Sequence, residues 1–468
     1  MKLDNSDLSL LNRFFRCGLA LLLACSFYLS FTTQDAYADV RKADIVLGET
    51  VDSRGLSLAQ CASIDAEFAI VMNSDNTVFF ERNSYSPAQI ASITKIMTAL
   101  VALENADEGT FITVSANAAS VGESSASLQE GDILTFDAAM KGLMLSSGND
   151  AALAIAESIG EVLSGGTAKG EEAQRYFVDR MNSLAQELGV TDTVFTNPHG
   201  LDDGQYASDQ HSCAYDVALI AQKAMENEQF RSIVATPEDT ISVKHADGSQ
   251  SSITLTSTDA LLSYYEGACG IKTGFTNAAG YCFAGAANRG EGDVYAIVLK
   301  STDENMRFED TSVLFDWYFE HMVSYPLAHS PQSTSMSLDG QSREVPLIAE
   351  VTHTDWIDKT VKATLANPDQ SVDIFDLNGN INQSVEYNTI TGDVEAGDKV
   401  GSITFKQRND ELITVDLLAC EDVKAPDLFE GIGIWWDRLF RGFSNQPTEA
   451  ESVLINETPL ISTKVGAE

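Results

Sequence analysis

Hydrophobic and polar positions change their spacing along this chain, and the changes predict its secondary structure. Glu67–Met72 and Thr77–Phe80 are apolar runs separated by a polar turn, which predicts a β-hairpin. Residues 91–226 contain several stretches with helical spacing, and Phe308–Met322 returns to that spacing. Between them lie three predicted strands: Gly270–Gly274, Tyr281–Ala286 and Val294–Lys300. This order predicts a mixed α/β (α+β) domain whose first hairpin and last three strands form one antiparallel sheet around a helical insertion.

The pattern changes again in the last third of the chain. Residues 333–423 hold short alternating or β-branched runs joined by turn residues, which predicts a small all-β domain. Residues 427–443 place aromatic and aliphatic positions opposite charged ones at helical spacing, which predicts an amphipathic helix. Two tryptophans in so short a helix favour contact with a membrane surface, and packing on the β domain is the alternative. Residues 444–468 are predicted to be a disordered acidic tail.

The N-terminus has the pattern of an export signal. Three basic residues precede the apolar run Cys17–Phe31, and Ala36–Ala38 offers a small-x-small cleavage site. A lipid anchor on Cys25 and an uncleaved membrane anchor are the alternatives. We expect residues 1–38 to be a signal peptide and residues 39–57 a flexible lead-in. The protein is then expected to work at the outer face of the cytoplasmic membrane or in the cell wall space.

Composition narrows the function classes. The formal net charge is −40, from 29 basic and 69 acidic residues. This charge argues against sequence-independent binding to nucleic acid, which requires a basic surface. The seven cysteines include Cys269 and Cys282, which flank a predicted turn between two strands. They could form a disulfide, which is plausible in an exported protein, or remain as two buried thiols.

Three short motifs carry candidate chemistry. Ser92–Lys95 begins a predicted helix, Ser147–Asn149 interrupts two helices, and Lys272–Gly274 lies on a predicted strand. Residues three apart share one face of a helix, so the Ser92 hydroxyl and the Lys95 amine are expected to meet. A partly buried lysine has a lowered pKa, and its neutral amine can take a proton from the serine. The sequence therefore predicts a serine nucleophile with a lysine base.

The three motifs, in this order, resemble those of the penicillin-binding proteins and serine β-lactamases. Longer runs are similar to the low-molecular-weight D-alanyl-D-alanine carboxypeptidases: Ala91–Ala99, Met144–Asp150, Thr196–Leu201 and Gly270–Tyr281. The resemblance covers about residues 57–323. It implies a β-lactamase/transpeptidase-like catalytic domain, expected at residues 58–326, followed by the β domain and the amphipathic helix. It also implies a serine peptidase without a cofactor that removes D-alanine from peptidoglycan pentapeptides and is acylated by β-lactam antibiotics.

The resemblance also implies catalytic roles. Ser92 is expected to form the acyl-enzyme, with Lys95 as its base. Ser147 and Lys272 are expected to form a hydroxyl–ammonium pair that passes a proton to the leaving D-alanine and shares the role of base. Asn149 is expected to hold the substrate amide and to orient Lys95.

Further residues are implied in substrate binding. Thr273 and Gly274 are expected to pair with the extended peptide, and Gly274 lets the substrate backbone approach closely. The N–H groups of Ser92 and Phe275 are expected to form the oxyanion hole. Lys272, the Thr273 hydroxyl and Arg307 are expected to take the terminal carboxylate.

Other functions remain as alternatives. A metal peptidase could use His199 and His211 with nearby aspartates (Asp202, Asp203 and Asp209), but tight metal-binding spacing is missing. A class A β-lactamase needs a carboxylate for deacylation, and the Asn197–Leu201 loop contains none. A transpeptidase or D,D-endopeptidase would share the same motifs. A non-catalytic penicillin-sensing or wall-binding protein would not need the serine–lysine pair.

Overall fold

The computed structural model describes residues 40–106, 109–338 and 341–461. These residues form two compact units that divide between Tyr318 and Phe319. The predicted signal peptide at residues 1–38 lies outside the described residues.

An antiparallel sheet of seven strands is the scaffold of the first unit. Its strand order is β2-β1-β4-β3-β11-β10-β9, so the first hairpin pairs with the last three strands of the unit. The strands are β1 Ile45–Val46, β2 Glu49–Thr50, β3 Phe68–Asn73, β4 Val78–Arg82, β9 Ala268–Thr276, β10 Gly280–Asn288 and β11 Asp293–Ser301. The predicted mixed fold with a helical insertion is confirmed. Strand β9 ends the order, so one of its edges carries no partner strand within the described unit.

Helices and a second sheet of four strands lie between β4 and β9. The second sheet has the order β5-β6-β7-β8, with β5 Phe111–Thr113, β6 Ile133–Thr135, β7 Glu238–Lys244 and β8 Gln250–Thr256. The helices of the unit are Val51–Arg54, Lys95–Asn105, Ala116–Ala119, Phe136–Met144, Asn149–Leu163, Glu171–Glu187, Ala214–Met225, Glu228–Val234 and Met306–His321, which ends just beyond the boundary. Apolar side chains of the helices and the large sheet form one continuous core. Burial of this core is the main source of stability and fixes the motifs relative to one another.

The expectation of a flexible lead-in at residues 39–57 is wrong from residue 40 onward. Strand β1 pairs with β4 and extends the large sheet at its edge. Val46 and Val51 are fully buried, and Arg82 forms an ion pair with Asp44 at 2.7 Å. The segment is polar overall, so its sequence did not indicate order. Burial of Val46 and Val51 and the ion pair between Asp44 and Arg82 hold it against the sheet.

The second unit is built from strands and one long helix. Its strands are β12 Met322–Pro326, β13 Ser333–Leu338, β14 Gln341–Pro346, β15 Ala349–Thr352, β16 Thr360–Leu365, β17 Ser371–Phe375, β18 Ile381–Tyr387, β19 Lys399–Gln407, β20 Asp410–Ala419 and β21 Val453–Leu454. Six of them form a sheet of order β18-β19-β20-β16-β15-β21. Strand β12 pairs with β17, so the all-β unit begins before the predicted residue 333.

The amphipathic helix of the second unit is Leu428–Phe443. Asp427 caps it, accepting hydrogen bonds from the N–H groups of Phe429 and Glu430 at 2.8 Å each. Its large apolar side chains are exposed, including Trp435 at 59% and Phe440 at 62%. Within the described ranges, no helix is both long and apolar enough to cross a membrane.

The expectation of a disordered tail is wrong up to residue 461. Strand β21 pairs with β15 and becomes an edge of the six-stranded sheet. Asn456 is 5% exposed; its side chain donates to the Leu327 carbonyl at 2.9 Å and accepts from the His329 N–H at 2.7 Å. A two-residue strand and one buried amide leave little trace in the hydrophobic pattern.

The disulfide alternative for Cys269 and Cys282 is also wrong. Cys282 lies opposite Gly274, and Cys269 lies at the other end of β9, next to the Gly270–Ala286 pair. Both cysteines are free thiols. The register of the two strands therefore separates them, although their positions around the turn had suggested a pair.

Candidate active site

Ser92 lies on a short 3-10 turn, Ala91–Thr94, that leads into the Lys95–Asn105 helix. The sequence had predicted that the α-helix itself begins near Ala91. Ala91 has a left-handed backbone with φ of +48°, an uncommon conformation for a residue with a side chain. The α-helix therefore begins only at Lys95, after this turn. As predicted, Ser92 Oγ lies close to Lys95 Nζ, at 2.8 Å.

Lys95 is fully buried and has three oxygen neighbours. Besides Ser92, they are Asn149 Oδ1 at 2.7 Å and the His199 carbonyl at 2.9 Å. Burial, reinforced by the charge of Lys272, holds the pKa of Lys95 well below its usual value, and Asp150 opposes this. A neutral amine has two N–H donors and one lone pair. With the donors on Asn149 and His199, the lone pair is left for the Ser92 hydroxyl proton.

The second motif lies at a break before the Asn149–Leu163 helix. Ser147 is buried and has φ of +57°, so the chain turns sharply there. A Cβ on Gly148 would lie 2.6 Å from Asp150 Oδ1, which leaves no room for a side chain. Asn149 Nδ2 donates to the Gly122 carbonyl at 3.0 Å, while its Oδ1 accepts from Lys95. The predicted role of Asn149 in orienting Lys95 has this geometry.

Asp150 holds the neighbouring loop, a role that the sequence analysis missed. Its carboxylate accepts from the N–H groups of Ala126 and Leu128 at 2.9 and 3.1 Å, and from the Ser125 hydroxyl at 2.6 Å. This fixes the loop on which Gly122 lies, and therefore the position of Asn149. An aspartate directly after the Ser147–Asn149 motif was the only sequence signal.

The third motif lies on edge strand β9. Lys272 is 1% exposed, and its Nζ donates to the Thr273 carbonyl at 3.1 Å. Burial and the nearby Arg307 charge lower the pKa of Lys272 to about 7, and Asp259 opposes them. The expected hydroxyl–ammonium pair is not formed in the described structure, where no hydrogen bond joins Ser147 to Lys272. A half-populated ammonium near neutral pH can nevertheless act as a proton donor.

Strand β9 passes directly beside Ser92. A Cβ on Gly274 would lie 2.8 Å from the Ile90 carbonyl and 3.2 Å from the Ser92 nitrogen, so glycine permits this approach. The Thr273 hydroxyl lies 2.6 Å from that of Thr258, on the segment after β8. Phe275 follows Gly274 on β9 and lines the same cavity as Ser92.

Arg307 contacts the same strand and also lines the cavity. It is 5% exposed, donates to the Gly274 carbonyl at 3.3 Å, and pairs with Glu304 at 3.2 Å. Burial lowers its pKa. Phe275 is half exposed and stacks on Tyr281, with ring centroids 4.4 Å apart.

These residues enclose a cavity of about 560 Å³. Predicted site residues that line it are Ser92, Ser147, Asn149, Thr273, Gly274, Phe275 and Arg307. Lys95 and Lys272 lie behind the wall, fully buried. Residues that were not predicted as serine-site residues also line it: Glu123, Ser124, Leu201, Asp203, Thr258, Thr276, Asn277, Tyr281 and Glu304. Thr276 lies on β9 and Tyr281 on β10, and the others lie outside the helices and strands.

The loop that contains His199 contacts both Lys95 and the turn that carries Ser92. His199 is fully buried, its Nδ1 accepts from the Leu201 N–H at 3.2 Å, and burial lowers its pKa to about 3. Gly200 has φ of +93°, and a Cβ there would lie 1.9 Å from the Ala91 carbonyl. The loop therefore packs against the turn that carries Ser92. In the described ranges, no group of three or more His, Cys, Asp or Glu residues could hold a metal ion.

Comparisons with known proteins identify the family of this chain. A family model of D-alanyl-D-alanine carboxypeptidases matches residues 56–303, more than half of the chain. The chain is 28% identical over 372 residues to the D-alanyl-D-alanine carboxypeptidase DacF of Bacillus subtilis, covering 77% of this chain and 86% of that protein. It is 27% identical over 407 residues to DacC of Escherichia coli, covering 82% and 90%.

Solved structures give the same assignment. The crystal structure of the Streptomyces K15 DD-transpeptidase aligns with a TM-score of 0.51 and 32% sequence identity, covering 55% of this chain and 98% of that one. The sheet with its helical insertion is therefore the β-lactamase/transpeptidase-like fold. Together these findings show that the chain belongs to the D-alanyl-D-alanine carboxypeptidase family and is a hydrolase of the serine peptidase class.

Proposed function

We propose that this enzyme removes the terminal D-alanine from peptidoglycan pentapeptides through an acyl-enzyme on Ser92. The observation that carries the proposal is the 2.8 Å contact between Ser92 Oγ, which faces the cavity, and Lys95 Nζ, which is buried. A buried amine with a lowered pKa is the group that an unactivated serine hydroxyl requires.

In the proposed acylation step, Lys95 takes the Ser92 proton and Oγ attacks the carbonyl carbon of the penultimate D-alanine. The C–N bond then breaks, and Lys272 gives a proton to the amine of the departing D-alanine. Ser147, which also lines the cavity, relays this proton after a change of rotamer. Water then attacks the ester and gives a proton to the neutral Lys272 amine, while Lys95 returns its proton to the Ser92 oxygen, so that the shortened peptide leaves and the Ser92 hydroxyl and both lysines are restored.

Binding of the peptide uses the free edge of β9. Thr273 and Gly274 lie where an added strand forms main-chain hydrogen bonds. The N–H groups of Ser92 and Phe275 receive the oxyanion. Lys272, the Thr273 hydroxyl and Arg307 provide charge and a donor for the terminal carboxylate.

Incubation with diacetyl-Lys-D-Ala-D-Ala tests this proposal. The wild-type protein is expected to release one equivalent of D-alanine per peptide, measured with a coupled D-amino acid oxidase assay. A second incubation, with cross-linked wall fragments and mass analysis, separates carboxypeptidase from endopeptidase or transpeptidase products. Penicillin labelling without D-alanine release would contradict the proposal and favour a penicillin sensor.

β-Lactams are proposed covalent inhibitors rather than substrates that turn over rapidly. They acylate the same serine, but the Asn197–Leu201 loop supplies no carboxylate to activate a deacylating water. Instead, its His199 carbonyl accepts from Lys95. We therefore expect stoichiometric labelling by penicillin with slow release, as opposed to the rapid turnover of a β-lactamase.

We further propose that the protein is exported and that the Leu428–Phe443 helix rests on the membrane surface. The exposed apolar face of this helix supports the proposal. Because the net charge of the chain is −40, its affinity for a membrane has to come from burial of apolar side chains rather than from attraction to anionic lipids.

Replacing Trp435 and Phe440 together by serine is expected to weaken binding to phospholipid vesicles at least tenfold. Burying one large apolar side chain stabilises by about 1.5–3 kcal/mol, and 1.4 kcal/mol corresponds to about tenfold. Sedimentation with vesicles measures the effect. Asp437→Ser is the matched control on the polar side of the helix and should bind as the wild type does. Equal binding of all three proteins would exclude the helix as the anchor.

A further inference from the structure

Asp259 is a buried carboxylate beside the cavity that the proposed mechanism has not used. It follows β8 and begins the 3-10 turn Ala260–Ser263, which leads towards β9. Its Oδ1 caps this turn by accepting from the Leu261 N–H at 2.9 Å. The side chain is 6% exposed, and Oδ2 is buried without a hydrogen-bond partner in the described structure. Capping of the turn therefore accounts for the burial of Oδ1 but not for the burial of Oδ2.

A buried carboxylate oxygen without a donor is costly unless a positive charge lies nearby. The cations that act on Asp259 are Lys272, on β9, and Arg307, on the Met306–His321 helix. Tyr264, at the end of the same turn, is a further titratable neighbour. Thr258, the residue before Asp259, contacts the Thr273 hydroxyl at 2.6 Å and so ties this segment to the lysine strand.

The two cations work against each other. Arg307 disfavours a charge on Lys272, and Asp259 is the group that opposes this effect. The other carboxylate near Arg307 is Glu304, whose side chain is 67% exposed and therefore well screened by water. Asp259 is thus the buried negative charge available to balance this pair.

We propose that Asp259 is the internal counter-ion of Lys272 and keeps it protonated for transfer to the leaving D-alanine. Asp259 touches no substrate and acts through Lys272, so it is a positioning residue. This inference rests on the proposed role of Lys272 as proton donor.

The titration ranges agree with this arrangement. Burial raises the pKa of Asp259 to about 6, so its carboxylate is charged above that pH. The pKa of Lys272 is about 7. Loss of the Asp259 charge removes an attraction that favours the ammonium, so Lys272 then loses its proton at a lower pH.

Asp259→Asn and Asp259→Ser test the inference, because both side chains can still cap the turn while neither carries charge. The measurements are the rates of acylation by fluorescent penicillin and of D-alanine release between pH 5 and 10. The alkaline limb of both profiles is expected to move down by about one pH unit. At pH 8 the rate should then fall about tenfold, with a much smaller change at pH 6.

Asp310→Asn is the matched control. Asp310 is also buried, but it binds the backbone N–H groups of Asp65 and Ala66, and the charged group that acts on it is Asp65 rather than Lys272 or Arg307. This variant is expected to melt at a lower temperature with an unmoved alkaline limb.

An unmoved alkaline limb in a folded Asp259 variant would overturn the inference, and the serine variant decides the question if the asparagine variant does not fold. Failure of the proposed function looks different. In that case the wild type releases no D-alanine, or Lys272→Ala acylates as fast as the wild type.

Discussion

Ser92→Ala is expected to abolish covalent labelling by fluorescent penicillin and to lower D-alanine release by a factor on the order of 10⁴ or more. The substitution removes the attacking oxygen while leaving the cavity, the β9 edge and the Lys95 contacts to Asn149 and His199 in place. Gel fluorescence measures labelling, and the oxidase-coupled assay measures release.

Ser124→Ala is the matched control for this experiment. Ser124 also lines the cavity and is exposed, but the three oxygen neighbours of the Lys95 amine are on Ser92, Asn149 and His199 rather than on Ser124. Its alanine variant should label at a rate close to that of the wild type. Labelling of Ser92→Ala at the wild-type rate would mean that another residue is the nucleophile.

The large sheet could be predicted because its strands are strongly patterned. The β3–β4 hairpin and strands β9–β11 are apolar runs bounded by turn residues, and they lie at the two ends of a helical region. The three motifs could be placed because the first two lie where helices begin and the third lies within the strongly patterned strand β9. Chemistry and local structure were therefore marked by the same residues.

Segments held by few contacts could not be predicted. Strands β1 and β21 have two residues each, and they are fixed by edge pairing and by single buried groups such as Val46 and Asn456. Such anchors do not produce a periodic pattern. The polar residues around these strands suggested loops, although strand pairing and burial in the folded protein keep the strands ordered.

Side-chain partners across the site were equally hidden. Lys272 donates to its own strand rather than to Ser147, because a long side chain selects its partner by rotamer and local charge. Asp150 and Asp259 act through buried carboxylates whose neighbours come from distant parts of the chain. Spacing along a sequence contains no information on such contacts.

Lys95→Met is expected to slow acylation of Ser92 by about 10²–10⁴-fold, the usual contribution of a general base. Methionine fills most of the buried volume of the lysine stem but cannot accept the serine proton. Stopped-flow acylation by a β-lactam measures the rate constant. Because burial holds the Lys95 pKa well below its usual value, the wild-type rate should persist to lower pH than an exposed lysine base would allow.

Stability gives an independent prediction for the same variant. Methionine leaves Asn149 Oδ1 and the His199 carbonyl without a donor, which costs about 1–3 kcal/mol for each buried acceptor, but it also removes a buried amine. These opposing effects imply a modest change in melting temperature together with a large change in rate.

Thr98→Val, one turn further along the helix, removes a 2.6 Å bond to the Pro198 carbonyl and serves as the control. It should destabilise the protein without the loss of acylation, because it leaves the amine beside Ser92. Rapid acylation of a folded Lys95→Met protein would transfer the role of base to Ser147 and Lys272.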